Sequence, residues 1–322
     1  MKEDDLLYGA HSGIQKAVRR GDLDLCKTCF NLLWSEKKHK SWLKWRLPSI
    51  VIEEAWYFSG RLKEFTDKKS EDPDEWLRFL YELTLIRKVK DADAIFYVPD
   101  TYKSAEPEAV DRLNWIPKTN DPTCDIVGLA DDLASACNEV RELTPYESSV
   151  MKVLKGRARM GGMFGDRIMS LAAILLLTHR GIEEGYIDDL VEVGLKRWVD
   201  SHGKRKPKTV NLPWYVFDFH TQVGKIAVSI WRKNKSHKYQ IKDLHAVWFY
   251  LESGHVPSFM REENLKNPSA FEEKWWPLFK EYSIKKGGGG EKDVKLSWKR
   301  TIRDELKGIV EWVLEKRENG GY

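Results

Sequence analysis

Four cysteines in 322 residues are too few for a disulfide framework, and a chain of this length buries an adequate core without one. Cys26 and Cys29 sit three apart in an apolar helical pattern, Cys124 lies near a turn, and Cys137 falls in another helical run. A zinc site or redox pair at Cys26-x-x-Cys29 would need a second CxxC or a His-x-x-x-His nearby, and the sequence has neither. The pair therefore reads as helix packing. Long apolar runs are also missing: no window approaches the roughly 18 apolar residues of a membrane span, and the longest run, Ile168 to Thr178, reads as a buried core helix. The opening MKEDDLLYGAHSG carries acids where a signal peptide carries bases, so the expected location is cytoplasmic, in the cytosol or with the nucleoid, and no membrane partner is expected.

Two further absences narrow the chemistry. The glycines of GRARMGGMFGDR, Gly156 to Arg167, do not form the Walker pattern GxxxxGK[ST], so no ATPase signature is present. Metal-ligand clusters are lacking as well. His237 and His245 have no third ligand nearby, and Asp188-Asp189 sits in an acidic run best explained as solvated surface. No cofactor and no metal is expected.

Net charge is only +4, so any polyanionic partner must be argued from distribution. Basic runs stand at 152 to 167 (Lys152, Lys155, Arg157, Arg159, Arg167), at 196 to 208 (Lys196, Arg197, Lys204, Arg205, Lys206, Lys208) and at 225 to 242 (Lys225, Arg232, Lys233, Lys235, Lys238, Lys242). Trp198, Trp214, Trp231 and Trp248 are interleaved with them, which makes DNA the expected partner of the C-terminal half.

The periodicity predicts an all-α chain. Asp22 caps a helix from Leu23, and a preceding helix, Ile14 to Arg20, stops at Gly21. Ser41 to Gly60 reads as a third helical unit, with Pro48 near the first turn of its second half and Gly60 as its stop. Residues 66 to 75 form a polar connection, Glu75 to Val89 is amphipathic, and Asp91 to Asp125 lacks periodicity. Asp125 to Leu143 and Pro145 to Leu154 look helical, Gly156 to Arg167 reads as a flexible basic turn, and a final helix spans roughly Val294 to Arg317. The expected fold is an irregular multi-helix bundle with a long loop-rich insertion. Its expected segments are N-terminal helices at 1–65, an insertion at 66–150, a helical core with basic runs at 151–286, and a glycine linker with a peripheral C-terminal helix at 287–322.

The run SGIQKAVRRGDLDLCKTCFNLLW followed by WRLPSIVIEEAWYFSG, at residues 12 to 60, resembles the C-terminal helical region of the RarA/MgsA-type AAA+ ATPases. The shared features are a basic helix ending in Arg-Gly-Asp and a Trp-Arg-Leu helix carrying Glu53 and Glu54. Later, GDRIMSLAAILLL and PWYVFDFHTQVGK resemble the core helix and the Asp-x-His-Thr-x-x-Gly segment of stand-alone relatives of that region. These pieces cover about a third of the chain and keep the same order. The resemblance implies a clamp-loader-type helical collar that oligomerises and works beside replication forks. The nucleotide-hydrolysing module is missing and residues 61 to 150 are largely unmatched, so ATP use does not carry over.

Chemistry is most legible at Leu212 to Thr221, where Asp218 and His220 interrupt an aromatic and aliphatic run. A carboxylate in such surroundings costs several kcal/mol unless it is compensated. The candidate partners are His220, Thr221, Lys225 and the arginines of the 156–167 turn. One reading makes Asp218 the cap of a helix at 219 to 231. The other makes Asp218 and His220 an acid/base or electrostatic pair. With DNA as substrate, cleavage of an N-glycosidic bond fits best, since its oxocarbenium-like transition state needs a carboxylate and no metal. Candidate substrate contacts are Trp214, Tyr215, Phe217 and Trp248 as walls for an extruded base, together with Thr221, Lys225, Arg157, Arg159, Arg167, Lys204, Arg205 and Lys206. The expected function is thus a DNA glycosylase-like enzyme of repair or of defence against modified foreign DNA. The alternative is a non-enzymatic DNA-binding accessory, with a homo-oligomer, a replisome protein or a sliding clamp as candidate partners.

Overall fold

The computed structural model describes residues 2–86, 88, 92, 126–160, 164–182, 210, 212–218, 220–234 and 296–321, and everything it describes is helix, turn or irregular chain. The all-α expectation holds among these residues. The segment at 93–125, the glycine linker at 287–290, Trp198, Trp248, Lys204, Arg205, Lys206, Asp188-Asp189, His237 and His245 lie outside the described residues.

Local signals set the helix ends. Helix α1, Glu3–Arg20, closes at Gly21, whose φ of 70° is a left-handed cap conformation. Asp22 then caps α2, Leu23–Ser35, its Oδ1 accepting from the Leu25 amide at 2.9 Å. Helix α3, Lys37–Ala55, runs through Pro48 as an interior residue and passes into a 3-10 turn at Trp56–Phe58. Helix α4, Ser59–Asp67, follows at once, so Gly60 begins a helix instead of ending one. The reason for glycine there is tertiary: a Cβ at Gly60 would lie 2.6 Å from Cε2 of Tyr146. Asp72 caps α5, Pro73–Leu85, with proline in the first turn.

Helix α6 is Ile126–Val140 and α7 is Pro145–Arg159. Thr144 and Glu147 form a reciprocal capping box at the start of α7. Helix α8, Phe164–Arg180, holds the long apolar run, and every residue from Ile168 to Thr178 is buried. Its two polar residues there are satisfied within the helix, Ser170 donating to the Asp166 carbonyl and Thr178 to that of Ile174. The expected flexible turn at Gly156 to Arg167 is corrected to a short connection, because α7 continues to Arg159 and α8 begins at Phe164.

The chain divides into two compact units. The first contains residues 1–43, 200–256 and 260–322, and the second residues 44–199 and 257–259. In the second unit α7 packs on α4, α6 and α8. In the first, α1 packs on α2 and on a 3-10 turn at Trp214–Val216, while α9, Gln222–Asn234, packs on α10, Leu296–Glu318.

Helix α10 is not the peripheral arm expected from sequence. Ile302, Leu306, Val310 and Val313 are fully buried, Glu305 accepts from the indole of Trp231 at 3.0 Å, and Arg317 reaches Asp5 at 2.7 Å. The apolar stripe at this spacing is a core face. Leu306→Ala should therefore cost ~2–5 kcal/mol in urea unfolding, whereas a peripheral helix would lose under about 0.5 kcal/mol.

Candidate functional site

The segment Leu212 to Asp218 lies along one face of α1, where side chains are small. A Cβ at Gly9 would lie 2.7 Å from Cε1 of Phe217, and one at Gly13 would meet Sγ of Cys29 at 2.5 Å and Val216 at 3.5 Å. Two helical turns past Gly9, on the same face, stands Lys16. Its side chain is buried, and its ammonium donates to Asp218 Oδ2 at 2.5 Å and to Ser12 Oγ at 2.5 Å. Ser12 itself donates to the same carboxylate oxygen at 3.0 Å.

The other oxygen, Asp218 Oδ1, accepts from the His220 amide at 2.9 Å and faces the His220 ring nitrogen Nδ1 at 3.2 Å. Asp218 is only 3% exposed and has donors on both oxygens. Burial acts to raise its pKa, but the Lys16 ammonium and the contact with His220 prevail and hold it well below the usual carboxylate range. Burial lowers the pKa of Lys16, an effect that Asp218 opposes. The two side chains form an enclosed salt bridge, 3% and 4% exposed.

Asp218 does not cap α9 with its side chain. Thr221 does so, its Oγ1 accepting from the Gly224 amide at 3.0 Å while donating to the Asp218 carbonyl at 2.7 Å. Gly224 is required because a Cβ there would overlap that same carbonyl oxygen. The helix begins at Gln222, three residues later than expected, since the Asp218 carboxylate is taken up by α1.

The remaining predicted residues separate into distinct places. His220 is 58% exposed at the mouth of this cluster, and Thr221 is buried. Trp214 and Tyr215 are half-buried and meet edge to face, with the Arg20 guanidinium 4.1 Å from the Tyr215 ring centre. Lys225 is exposed and does not hold Asp218. In the second unit the three arginines are engaged internally. Arg157 donates to Ser49 at 2.8 Å and lies 3.4 Å from Asp166, Arg159 binds Asp131 at 2.6 Å, and Arg167 donates to the Ala158 carbonyl at 2.9 Å. None of the three extends free into a flexible turn.

Sequence reasoning missed Lys16 and Ser12. A lysine on the apolar face of α1, among Ile14, Ala17 and Val18, was the available signal, because a buried ammonium requires an anion. The second unit has a parallel network: Arg46 lies 3.4 Å from Glu53 and 3.6 Å from Asp166, and the Ser49 hydroxyl donates to Asp166 at 2.5 Å. Glu53 and Glu54 are both buried. Cys26, Cys29 and Cys137 are buried free thiols, and burial raises the pKa of Cys29. No metal-binding group occurs among the described residues, and none of their helices is long and apolar enough to cross a membrane.

No known family, curated protein or solved structure matches the chain.

Removing one partner of the buried pair leaves the other uncompensated. Lys16→Met or Asp218→Asn should each cost ~3–5 kcal/mol in chemical denaturation, and Lys16→Met with Asp218→Leu should recover most of that loss. Because the folded pKa of Asp218 lies below its unfolded value near ~4, its ionisation stabilises the fold above that value and ceases to as pH falls through the folded pKa. The stability gap between wild type and Asp218→Asn should thus be constant from about pH 6 to 8 and shrink below about pH 4.

Proposed function

We propose that the chain is a DNA-binding helical module that accompanies a replication or repair assembly and carries out no chemistry at Asp218. The observation that carries this reading is the use made of the segments resembling the RarA/MgsA collar. In the first unit, Lys16 of the QKAVRRGD run is paired with Asp218 of the Asp-x-His-Thr segment. In the second, Arg46 and Glu53 of the WRLPSIVIEE run join Asp166 of GDRIM. The polar residues of these segments are thereby spent on holding helices together, as a scaffold requires. An active site would instead leave a charged group facing a substrate.

Binding falls to the exposed basic surface. On α9, Gln222, Lys225, Ser229, Arg232 and Lys233 are exposed and recur at three- and four-residue intervals, so they line one face. Such a stripe neutralises backbone phosphates without reading bases. A homo-oligomer or a replisome or clamp protein would complete the assembly, as the collar resemblance implies.

One observation favours the enzymatic reading, a glycosylase-like activity on DNA in repair or defence. With His220 Nδ1 donating to Asp218, the exposed imidazole is oriented by a buried carboxylate, an arrangement suited to acid/base work. In that reading His220 acts and Asp218 positions it.

The two readings separate in one assay set. Wild-type protein should bind DNA with an affinity that falls steeply with salt, and Arg232→Ala and Lys233→Ala should each lower the salt slope by about 1. Incubation with plain and base-modified DNA should yield no abasic sites. Abasic product that disappears in His220→Ala, with the thermal melt of the variant unchanged, would establish the enzyme. Absence of DNA binding at low salt would overturn the binding reading.

A further inference from the structure

The first unit has a surface that neither the buried pair nor the α9 stripe explains. It is formed by α1 and the beginning of α3. Tyr8 is 42% exposed and meets His11 edge-on, ring centres 5.5 Å apart at 78°. His11 lies flat on Trp42, 3.8 Å between centres and 8° between planes. His39 Nδ1 stands 2.8 Å from His11 Nε2, so the two imidazoles lock each other in place. Burial, with His39 and Lys38 nearby, lowers the His11 pKa to about 4, which leaves this ring uncharged in the stack near neutral pH.

Lysines of α3 stand beside this aromatic cluster. Lys37 and Lys38 are exposed, and the Lys38 ammonium stands 6.0 Å from the centre of the Tyr8 ring. The first turn of α3 contains no acid and reads Lys37, Lys38, His39, Lys40. Glu36, whose carbonyl accepts from the Lys40 amide at 2.8 Å, offsets one of these charges, and the three lysines leave the turn net positive, against the helix dipole. An anionic partner reverses that cost.

We propose that this face binds single-stranded nucleic acid, a base stacking on Tyr8 while its flanking phosphates lie against Lys37 and Lys38. The proposal rests on the nucleic-acid reading given above and adds the strand type and the surface. Every base offers a π-face, and stacking on a protein aromatic requires that the base be unstacked from its neighbours, as in a single strand. A duplex would present only phosphates to the lysines. An acidic peptide would likewise use the lysines but gain nothing from the Tyr8 ring.

The test is fluorescence anisotropy with the full chain, a labelled oligothymidylate of about fifteen nucleotides and a duplex of equal length. The variants are Tyr8→Ala, the pair Lys37→Ala with Lys38→Ala, and the pair Arg232→Ala with Lys233→Ala, each checked for an unchanged thermal melt. Tyr8→Ala should weaken single-strand binding about tenfold and change duplex binding less than about twofold. The Lys37/Lys38 pair should lower the single-strand salt slope by about 1 to 2. If wild type binds single strands and only the α9 pair weakens them, this surface is not the site, although DNA binding stands. If polyglutamate competes equally with the oligonucleotide and Tyr8→Ala changes neither, the partner is an acidic protein and the proposal fails. Failure of wild type to bind any nucleic acid removes the DNA-binding reading and this inference together.

Discussion

A buried lysine facing a buried aspartate is the constraint around which the first unit is organised. The Lys16–Asp218 pair joins residues 202 positions apart in sequence. Neither charge tolerates such burial alone, so the pair fixes how the 212–218 segment lies along α1. Gly9 follows from that placement, because Phe217 comes down on the α1 backbone where a side chain would stand, while Gly13 is demanded by Cys29 of α2. Gly224 follows too, since α9 starts directly on the Asp218 carbonyl. A buried ion pair of this kind contributes little net stability compared with an apolar pair. Its effect lies in register: alternative placements of the segment would strand a charge.

The same pair decides how Asp218 relates to chemistry. An aspartate pushed upward by burial alone would be poised as an acid, but the adjacent ammonium reverses that shift and keeps the group ionised and occupied. What remains exposed is His220, tied to the cluster through its amide and Nδ1. The first unit also presents, among its described residues, Lys225, Arg232 and Lys233 on α9, and Tyr8 set edge-on against a stacked His11 and Trp42 beside Lys37 and Lys38 on α3.

Much of the fold was legible in the residues because its signals are local. Asp22 as a cap, Gly21 as a stop, the buried run Ile168 to Thr178 and the helical start at Pro145 each depend on groups within one helical turn. The errors arose where a distant partner sets the outcome. Gly60 resembles a helix stop, but Tyr146 demands it. Arg157 and Arg159 resemble a free basic turn, whereas Asp166 and Asp131 hold them. The C-terminal helix lies beyond a glycine run, and its stripe from Ile302 to Val313 nevertheless forms core. At the candidate site, the need for a counter-charge to Asp218 followed from the apolar run around it. The identity of that counter-charge did not, because Lys16 is one of three basic residues among the seven from Ile14 to Arg20, and only packing singles it out.

The central claim, that Asp218 is an enclosed structural anion, is tested most directly by a carbon-detected NMR titration of its side-chain carboxyl with and without DNA. The account predicts a carboxylate that stays ionised below the ordinary aspartate range near pH ~4 and whose resonance does not respond to an added oligonucleotide. A carboxyl that titrates near neutral pH, or one whose signal moves when DNA binds, would contradict it and return Asp218 to the reacting centre.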